Sequence, residues 1–460
     1  MKILLTSPQR SLYTGDAIAS PIQGLLALAA AFQHGIFFPD GFVVDEVRVV
    51  DEQLEHLKNP NFPQGYNNTD FKPDVIGIQA LTSNMSNAVS LGWFLKARNP
   101  SALVIFGGIA PTQESKYLLE LGVADLIIHG EGEVTFSEVL VDHALYNLRN
   151  KEKINGISYL NGDGVYTRNA PRMNIPDINI LPLPSRELVD IDFYKKVSPG
   201  RVGNLITSRG CSFVCKYCFS KHQWGVGMRR YTVERAIQEI SVMYHVYGID
   251  RIRIEDDDFM ENPKYVEAFC HQLIKAGLHT KLEWEAKGRP NFMKETLLRL
   301  LRKAGCFRLM MGVETLNPKL LKSLNRGATV AGISNALDAL ANSGISVQAT
   351  VILGIPGDTI DSMNYTLDFL NKRSRKRDII GACFFTPFTS VEEDMKDLKY
   401  EIVIKDKDYY SGYMPVTSSK SCSYTDLWDL FLEMGHSRVG KYDRIGHFTD
   451  SKKVRNKIIV

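Results

Sequence analysis

Residues 207–219 read TSRGCSFVCKYCF and are the most informative stretch of this 460-residue chain. They place Cys211, Cys215 and Cys218 on one short loop, with three and then two residues between them. Three thiolates at this spacing can hold three irons of a four-iron cluster and leave the fourth iron open to a small ligand. A structural zinc site normally has four protein ligands, and the nearest further candidate is His222. Three ordinary thiols in a reducing compartment are the alternative interpretation.

The residues around these cysteines resemble those of the radical S-adenosylmethionine superfamily. Ser208, Arg209 and Gly210 precede the first cysteine, and Tyr217 precedes the last, as in many members. The resemblance implies that the open iron of a [4Fe-4S] cluster binds the amino and carboxylate groups of S-adenosylmethionine. One electron from the cluster then breaks a carbon–sulfur bond and gives a 5'-deoxyadenosyl radical. The cofactors carry the difficult chemistry, and the protein positions them.

Around this loop, residues 201–390 alternate strand-like and helix-like segments. The apolar runs predict six strands, near 203–207, 250–255, 281–286, 307–313, 346–353 and 379–385. Asn262-Pro263 and Asn317-Pro318 each place a capping Asn before a Pro at the first helical position. Six parallel strands are too few for a closed eight-stranded barrel, and they fit the (βα)6 partial TIM barrel that the resemblance implies. Functional residues are expected at the C-terminal ends of the strands.

Four acidic residues follow the second predicted strand, at 255–258. They cannot all be buried without a large desolvation cost, so they face a cavity, a cation or solvent. The resemblance places this position near the amino group of S-adenosylmethionine, and we assign Asp256 and Asp257 to it; a solvated acidic loop is the alternative. After the third strand, Arg289 is the candidate for the methionyl carboxylate, because a guanidinium fork suits a carboxylate, and Lys287 competes for this role.

The ends of the fourth and fifth strands carry further candidates. Residues 312–315, Gly-Val-Glu-Thr, resemble a signature of the superfamily. Glu314 and Thr315 are therefore expected near the ribose or the methionyl amine, although Glu314 also suits a structural acid. Gly354 lies in a stretch, VILGIPGDT, whose backbone the resemblance places along the adenine. Tyr217 is expected to contact the same base.

Residues 1 to about 145 show a second alternation of strand and helix patterns. Continuous apolar runs separated by helices predict a doubly wound, Rossmann-like parallel sheet covered on both faces. Ligands of such sheets bind beyond the C-terminal strand ends, which selects Thr82, Ser83, Gly107, Gly108 and Gly130. Each glycine taken alone is also explained by a turn. No G-x-G-x-x-G follows the first strand, so a nicotinamide dinucleotide is not expected.

The same segments resemble the cobalamin-binding domain that precedes many radical S-adenosylmethionine domains. The resemblance rests on VIGIQALTSN, FGGIAPT and DLIIHGEGEVTFSEVL and covers nearly all of the first 145 residues. It implies cobalamin as a second cofactor. The family often has a His where this chain has Ala110. Either cobalamin binds without a His ligand, or the domain keeps its fold and has lost the ligand.

Two further segments complete the expected organisation. Residues 146–200 are predicted to form a connector with a hairpin near 161–164, and residues 391–460 a helical C-terminal segment. The net charge of +3 gives no argument for a nucleic-acid partner, and no segment is suited to a membrane span. No signal peptide is visible, and the use of seven cysteines indicates a reducing compartment, so we expect a cytoplasmic protein.

The resemblance implies an enzyme that acts on an unactivated carbon of a small metabolite. Cobalamin-dependent methyl transfer is the leading expectation. The alternative is radical dehydration or rearrangement of a small substrate, such as a sugar, without cobalamin, and Ala110 keeps this alternative open. Either reaction needs an electron donor such as flavodoxin or ferredoxin. A regulatory protein that senses iron or cobalamin is disfavoured, because it would not need contacts for every part of S-adenosylmethionine.

Overall fold

The structure is a computed structural model that describes residues 1–9, 20–61, 63, 65, 70–410 and 412–437. The described chain divides into two units, one ending at Val202 and the other beginning at Gly203. Each unit is built on its own largely parallel β-sheet.

The first unit contains a seven-stranded sheet. Its strands are β1 (Lys2–Ser7), β2 (Glu46–Asp51), β3 (Val75–Gln79), β4 (Leu103–Gly107), β5 (Leu126–Ile128), β6 (Ile157–Leu160) and β7 (Tyr166–Arg168). Their order in the sheet is β2-β1-β3-β4-β5-β6-β7, in which the first five strands pair in parallel. The predicted hairpin lies between β6 and β7, and it extends this sheet in antiparallel fashion.

Helices cover both faces of this sheet. They are α1 (Gln23–Gln33), α2 (Glu52–Lys58), α3 (Met85–Arg98), α4 (Ile109–Gln113), α5 (Ser115–Glu120), α6 (Gly132–Tyr146) and α7 (Ile191–Val197). The strand order changes direction at β1, so right-handed connections place helices on both sides. Ile3 and Leu5 enter an apolar core with α1 and α6, whereas Leu4 enters a second core with α3 and α5. The doubly wound sheet predicted from the sequence is confirmed.

The second unit contains a six-stranded parallel sheet and two small antiparallel pairs. Its strands are β8 (Gly203–Leu205), β9 (Ser208–Cys211), β10 (Gly227–Arg230), β11 (Arg251–Ile254), β12 (Glu283–Gly288), β13 (Cys306–Glu314), β14 (Ser346–Leu353), β15 (Ile379–Phe384), β16 (Glu401–Ile402) and β17 (Thr417–Ser418). The large sheet has the order β15-β14-β13-β12-β11-β8. These six strands are the ones predicted, and each end lies within two residues of the prediction.

The helices of the second unit follow its strands in alternation. They are α8 (Ser220–Trp224), α9 (Val233–His245), α10 (Pro263–Lys275), α11 (Glu295–Lys303), α12 (Pro318–Ser323), α13 (Val330–Ser343), α14 (Ile360–Arg373), α15 (Thr389–Met395) and α16 (Tyr424–Ser437). Strand order follows chain order, so right-handed crossovers place α9 to α14 on one face, and the other face lines the lumen of the partial barrel. Both predicted caps form, since the side chain of Asn262 accepts from the Tyr265 N–H and that of Asn317 from the Lys319 N–H.

The C-terminal part combines the expected helices with a short strand pair. Along the chain, α15 precedes and α16 follows the antiparallel pair β16–β17. The sequence pattern did not indicate this strand pair. Tyr410 and Trp428 are buried, which agrees with a packing role for the aromatic residues of this segment. Residues 438–460 of the predicted segment lie outside the described residues. No helix in the described ranges has the length and apolar character of a membrane span.

Candidate active site

The three cysteines lie on a loop that a two-stranded hairpin closes. β9 pairs antiparallel with β10, and Cys211 stands opposite Gly227 in the register. Cys215 is buried, Cys211 and Cys218 are half-buried, and all three are free of disulfide bonds. Gly210 has φ +92°, and a Cβ there would lie 2.3 Å from the carbonyl oxygen of Gly227. Only glycine therefore fits at the start of the cysteine loop.

Asp256 fastens the chain immediately before this loop. Its carboxylate is 1% exposed and accepts hydrogen bonds from the backbone N–H groups of Thr207 and Ser208, at 2.6 and 3.1 Å. The hydroxyl groups of the same two residues also donate to it, and Arg230 Nη1 lies 3.7 Å from Oδ2. Burial raises the pKa of Asp256, while the bonds from Thr207 and Ser208 favour the charged form. Both oxygens are thus used to hold the strand that leads into the cysteines.

Asp257 makes a second connection between the acidic run and the loop. It is exposed, and its Oδ2 accepts a hydrogen bond of 2.6 Å from the hydroxyl of Ser220, the first residue of α8 after the last cysteine. The structure therefore brings Asp256 and Asp257 to the two ends of the cysteine loop. Their assignment to the amino group of S-adenosylmethionine remains a prediction. The bonds of Asp256 give it a positioning role in addition.

Asp258 is one of two residues of the acidic run, with Glu255, that the sequence prediction did not single out. Its side chain is 1% exposed, and neither carboxylate oxygen has a hydrogen-bond partner among the residues described. Burial raises its pKa to about 7, against the opposing effect of Arg289. A buried carboxylate without a partner is costly, so the site is suited to a ligand that donates hydrogen bonds. A run of four acids gives no sequence signal that distinguishes this member.

Arg289 contacts the cysteine loop directly. Its Nη1 lies 3.2 Å from Cys215 Sγ, and its Cζ lies 3.7 Å from the centre of the Phe213 ring. Nε and Nη2 are buried and have no hydrogen-bond partner in the described part of the chain. The competing candidate, Lys287, pairs instead with Glu255, at 2.6 Å between Nζ and Oε2. The geometry therefore favours Arg289 for an anionic group beside the cysteines.

Glu314 and Arg326 form a second charged pair near the loop. Glu314 has φ +65°, a left-handed backbone conformation that is rare outside glycine and is often found at functional sites. Arg326 Nη2 lies 3.8 Å from Glu314 Oε1 and donates to the carbonyl of Gly312 at 2.7 Å. The hydroxyl of Tyr217 donates to Glu314, and burial raises the pKa of both groups. Arg326, which lies in the Asn-Arg-Gly run at 325–327, was not predicted as a site residue.

Thr315 and Gly354 make contacts within the protein. The Thr315 hydroxyl accepts from the Asn317 N–H at 3.0 Å, and the residue is 1% exposed. Gly354 has φ +72°, and a Cβ there would lie 2.7 Å from Leu427 Cδ1 of α16. The missing side chain of Gly354 thus makes room for the C-terminal helix. The predicted contacts of Thr315 with the ribose or amine, and of Gly354 and Tyr217 with the adenine, remain predictions.

The predicted residues of the first unit gather at one edge of its sheet. Thr82 and Ser83 lie in a short 3-10 helix after β3. Gly107 is the last residue of β4, and Gly108 follows it. Gly108 has φ +102°, and a Cβ there would lie 2.9 Å from the carbonyl oxygen of Ala80. Gly130 follows β5 at φ +70° with open space around the Cβ position. Because β3, β4 and β5 are parallel neighbours, these residues share the edge at which doubly wound sheets bind ligands.

Two residues near this edge have buried environments. Ala110 in α4 is 2% exposed and packs in the apolar core, so this position supplies no ligand atom. His129, which the sequence prediction missed, is 8% exposed and lies 2.7 Å from the Ser158 hydroxyl through Nε2. Burial lowers the pKa of His129 to about 4, so its ring is neutral at physiological pH. Its position directly before Gly130 was the available signal.

The donor set of the cysteine loop fits an iron–sulfur cluster. Three thiols on one loop match the number of protein ligands of a four-iron cluster with one open iron. The unpartnered polar atoms of Asp258 and Arg289 lie close by and suit a zwitterionic ligand. Among the described residues no three Cys, His, Asp or Glu side chains converge as a site for one metal ion. The fit therefore rests on the donor set and on these buried groups.

Comparison with known families places the chain in one class. The Radical SAM superfamily profile matches residues 205–370, and the B12 binding domain profile matches residues 23–140. An uncharacterized methyltransferase of Pyrococcus horikoshii, PH0819, is 30% identical over 81% of this chain and 78% of its own length. The chain therefore belongs to the radical S-adenosylmethionine superfamily. It is a member with an N-terminal B12-binding domain, as predicted.

Other relatives are more distant and mostly longer. The anaerobic magnesium-protoporphyrin IX monomethyl ester cyclase of Cereibacter sphaeroides is 25% identical, over 78% of this chain and 59% of its own. The cytidylyl-2-hydroxyethylphosphonate methyltransferase of Streptomyces wedmorensis is 26% identical, over 65% of this chain and 62% of its own. The structure of the methyltransferase TsrM from Kitasatospora setae matches with a TM-score of 0.71 at 15% identity, over 99% of this chain and 98% of that one. This match confirms the fold.

Proposed function

We propose that the protein methylates an unactivated carbon of a small molecule, using S-adenosylmethionine, a [4Fe-4S] cluster and cobalamin. Methyltransferases among its relatives support methyl transfer over the alternative of dehydration or rearrangement. The observation that carries the proposal is the arrangement at the cysteine loop, where Arg289 contacts the buried Cys215 thiol and also interacts with the unpaired carboxylate of Asp258. The relatives act on different molecules, so they do not select the methyl acceptor.

Cys211, Cys215 and Cys218 would hold the cluster, whose chemistry when bound is the transfer of one electron to S-adenosylmethionine. The protein's own part is to fix the methionyl end of that cofactor. The open Nε and Nη2 of Arg289 suit its carboxylate, because a guanidinium binds a carboxylate through two parallel hydrogen bonds. The unpaired oxygens of Asp258 suit its ammonium group, since each can accept a hydrogen bond from it.

The first unit would hold cobalamin at the C-terminal edge of β3, β4 and β5. Thr82 and Ser83 supply hydroxyl groups, and Gly107, Gly108 and Gly130 let the backbone approach a large ligand. Gly130, with open space around its Cβ position, is the glycine most suited to such an approach. Ala110 has no donor atom in its side chain, so other residues at this edge would hold cobalamin.

We also infer the nature of the partners and the compartment. The reaction needs a low-potential electron donor, for which a flavodoxin or a ferredoxin is suited. None of the seven cysteines, which all lie in the described ranges, forms a disulfide, and this supports a reducing compartment such as the cytoplasm.

The direct test uses protein that is purified and reconstituted without oxygen. It is incubated with reductant and S-adenosylmethionine, with and without cobalamin, and S-adenosylhomocysteine and 5'-deoxyadenosine are measured by mass spectrometry. We expect S-adenosylhomocysteine only when cobalamin is present, and no product at all from Cys215→Ala. Cys422→Ala is the matched control, since this buried cysteine lies outside the loop and should leave turnover unchanged. Cleavage that persists in Cys215→Ala, or formation of 5'-deoxyadenosine alone without a cobalamin requirement, would contradict the proposal.

A further inference from the structure

The lumen face of the second sheet carries charged side chains that the proposed function does not use. Alternate residues of β11, β12 and β13 point away from the helices. Five charged, half-buried side chains lie on this face, four within these strands and Glu255 directly after β11: Arg253, Glu255, Glu285, Lys287 and Arg308. In closed eight-stranded barrels this space is filled by branched apolar side chains. The charges indicate that the lumen of this barrel receives a polar molecule.

Two of these cations share one carboxylate. Lys287 Nζ lies 2.6 Å from Glu255 Oε2, and Arg253 Nε lies 2.8 Å from Glu255 Oε1. Both distances are those of charge-assisted hydrogen bonds. Each oxygen of the Glu255 carboxylate therefore already accepts a hydrogen bond from one of these two cations.

The neighbouring residues across the sheet, Arg253, Glu285 and Arg308, form weaker ion pairs. The strand register places Arg253 beside Glu285, and Glu285 beside Arg308. The nearest atoms of the two guanidinium groups lie 3.7 and 3.6 Å from Glu285, which is too far for hydrogen bonds. Nε of Arg308 is buried and has no hydrogen-bond partner within the ranges described. Among these five residues three are cations and two are carboxylates, so the cations outnumber the carboxylates by one.

We propose that Arg308, together with Arg253, binds an oxyanion group of the methyl acceptor, either a carboxylate or a phosphate. The identity of the occupant as the acceptor rests on the proposed function. An oxyanion would satisfy the open donor of Arg308 and compensate the excess charge, because the guanidinium fork matches planar oxyanions. An entirely apolar acceptor would cover Arg308 and leave its Nε without a hydrogen-bond partner, at a cost in binding free energy.

The position of Arg253, Glu285 and Arg308 along their strands agrees with an acceptor that lies deeper in the lumen than S-adenosylmethionine. Arg289, beside the cysteines, follows Glu285 by four residues, which is roughly 13 Å along a strand at about 3.3 Å per residue. The oxyanion would be held in the lumen at this distance from the cysteine loop. The reacting carbon of the acceptor would then lie between the two.

The test measures binding of inorganic phosphate and of succinate to the reconstituted protein, without S-adenosylmethionine, as shifts of the thermal midpoint. Sodium chloride at the same ionic strength is the reference. We expect a saturable shift for the wild type and an apparent affinity about ten- to hundred-fold weaker for Arg308→Gln. Arg251→Gln is the matched control, because Arg251 is on the same face, is 46% exposed and pairs with Glu283 at 3.0 Å. It should bind as the wild type does.

Glu285→Gln gives a second test, because its expected effect on anion affinity is opposite to that of Arg308→Gln. It removes the carboxylate that competes for Arg308, so it should tighten binding of the same probe. A response to phosphate alone identifies a phosphate group, and a response to succinate alone identifies a carboxylate. The proposal is overturned if neither anion gives a shift that depends on Arg308, or if Glu285→Gln weakens binding. Because the measurement needs no turnover, a failure of methyl transfer with intact anion binding would overturn the proposed function and leave the anion site standing.

Discussion

Adjacent acidic residues in this protein have different surroundings, and the surroundings decide what each one does. Asp256 uses both oxygens to hold Thr207 and Ser208. Asp257 is exposed and bonds to Ser220 at the far end of the cysteine loop. Asp258 is buried, has no hydrogen-bond partner among the described residues, and is suited to an ammonium group. Roles at this scale depend on contacts with residues about 40 to 50 positions away.

Replacement of Asp256 should loosen the cysteine loop. We expect Asp256→Asn to lower the free energy of unfolding of the apoprotein by about 2–4 kcal/mol, because it leaves buried donors of Thr207 and Ser208 without charged acceptors. Iron bound per chain after reconstitution should fall in parallel. Asp257→Asn, which alters one exposed contact, should change both quantities little. Equal effects of the two substitutions would refute the positioning role of Asp256.

Glu52 gives a prediction about pH in the first unit. Burial raises the pKa of this glutamate to about 7, so the folded protein binds its proton more tightly than the unfolded chain does. Its contribution to stability is therefore fully present below about pH 4.5 and is lost as the pH rises to about 7. The loss amounts to about 3 kcal/mol. Glu52→Gln, which keeps an acceptor for the Gly65 N–H, should not show this loss.

Urea unfolding at pH 5 and pH 8 checks this expectation. The stability of Glu52→Gln relative to the wild type should rise between the two values. Glu46→Gln is the control, since Glu46 begins β2, the strand that leads into Glu52, and has a side chain that is 45% exposed. A relative stability of Glu52→Gln that is independent of pH would show that the carboxyl group of Glu52 is not desolvated as described.

At the scale of elements, the cysteine loop depends on the hairpin of β9 and β10. We expect Gly210→Ala to disrupt it, because a Cβ there would lie 2.3 Å from the Gly227 carbonyl oxygen and φ is +92°. Gly164→Ala is the matched control, with φ +73° and no neighbour within 4 Å. The control should cost about 1 kcal/mol from backbone strain alone and keep iron binding. Gly210→Ala should lose most of the iron; retention at the level of Gly164→Ala would contradict the role of the hairpin.

Elements were predictable here where a periodic pattern specifies them. The six strands of the barrel sheet have apolar residues on the side that packs against helices, and this pattern located each of them within two residues. Neither strand of the β9–β10 hairpin was predicted, because each has only four residues and lacks a continuous apolar run. Asp258, His129 and Arg326 were missed for a related reason. Their importance lies in missing or distant partners, which sequence spacing does not encode.

At the scale of the whole molecule, the candidate ligand-binding residues of each sheet lie at the C-terminal ends of its strands. The strand order explains the difference between the two sheets. The order of the first sheet reverses at β1 and produces helices on both faces, which leaves ligand sites at an edge. The sequential order of the second produces helices on one face only and leaves a lumen. Sequence motifs identified both cofactor domains, whereas the charged lumen wall became visible only when β11, β12 and β13 were aligned in register.

The central claim is that Cys211, Cys215 and Cys218 hold a four-iron cluster whose open iron binds S-adenosylmethionine. Electron paramagnetic resonance of the reduced, reconstituted protein tests it most directly, recorded before and after S-adenosylmethionine is added. The account predicts the signal of one reduced [4Fe-4S] cluster per chain, with g values that shift on addition of S-adenosylmethionine, and loss of this signal in Cys215→Ala. A signal that S-adenosylmethionine leaves unchanged, or an intact cluster in Cys215→Ala, would contradict the account.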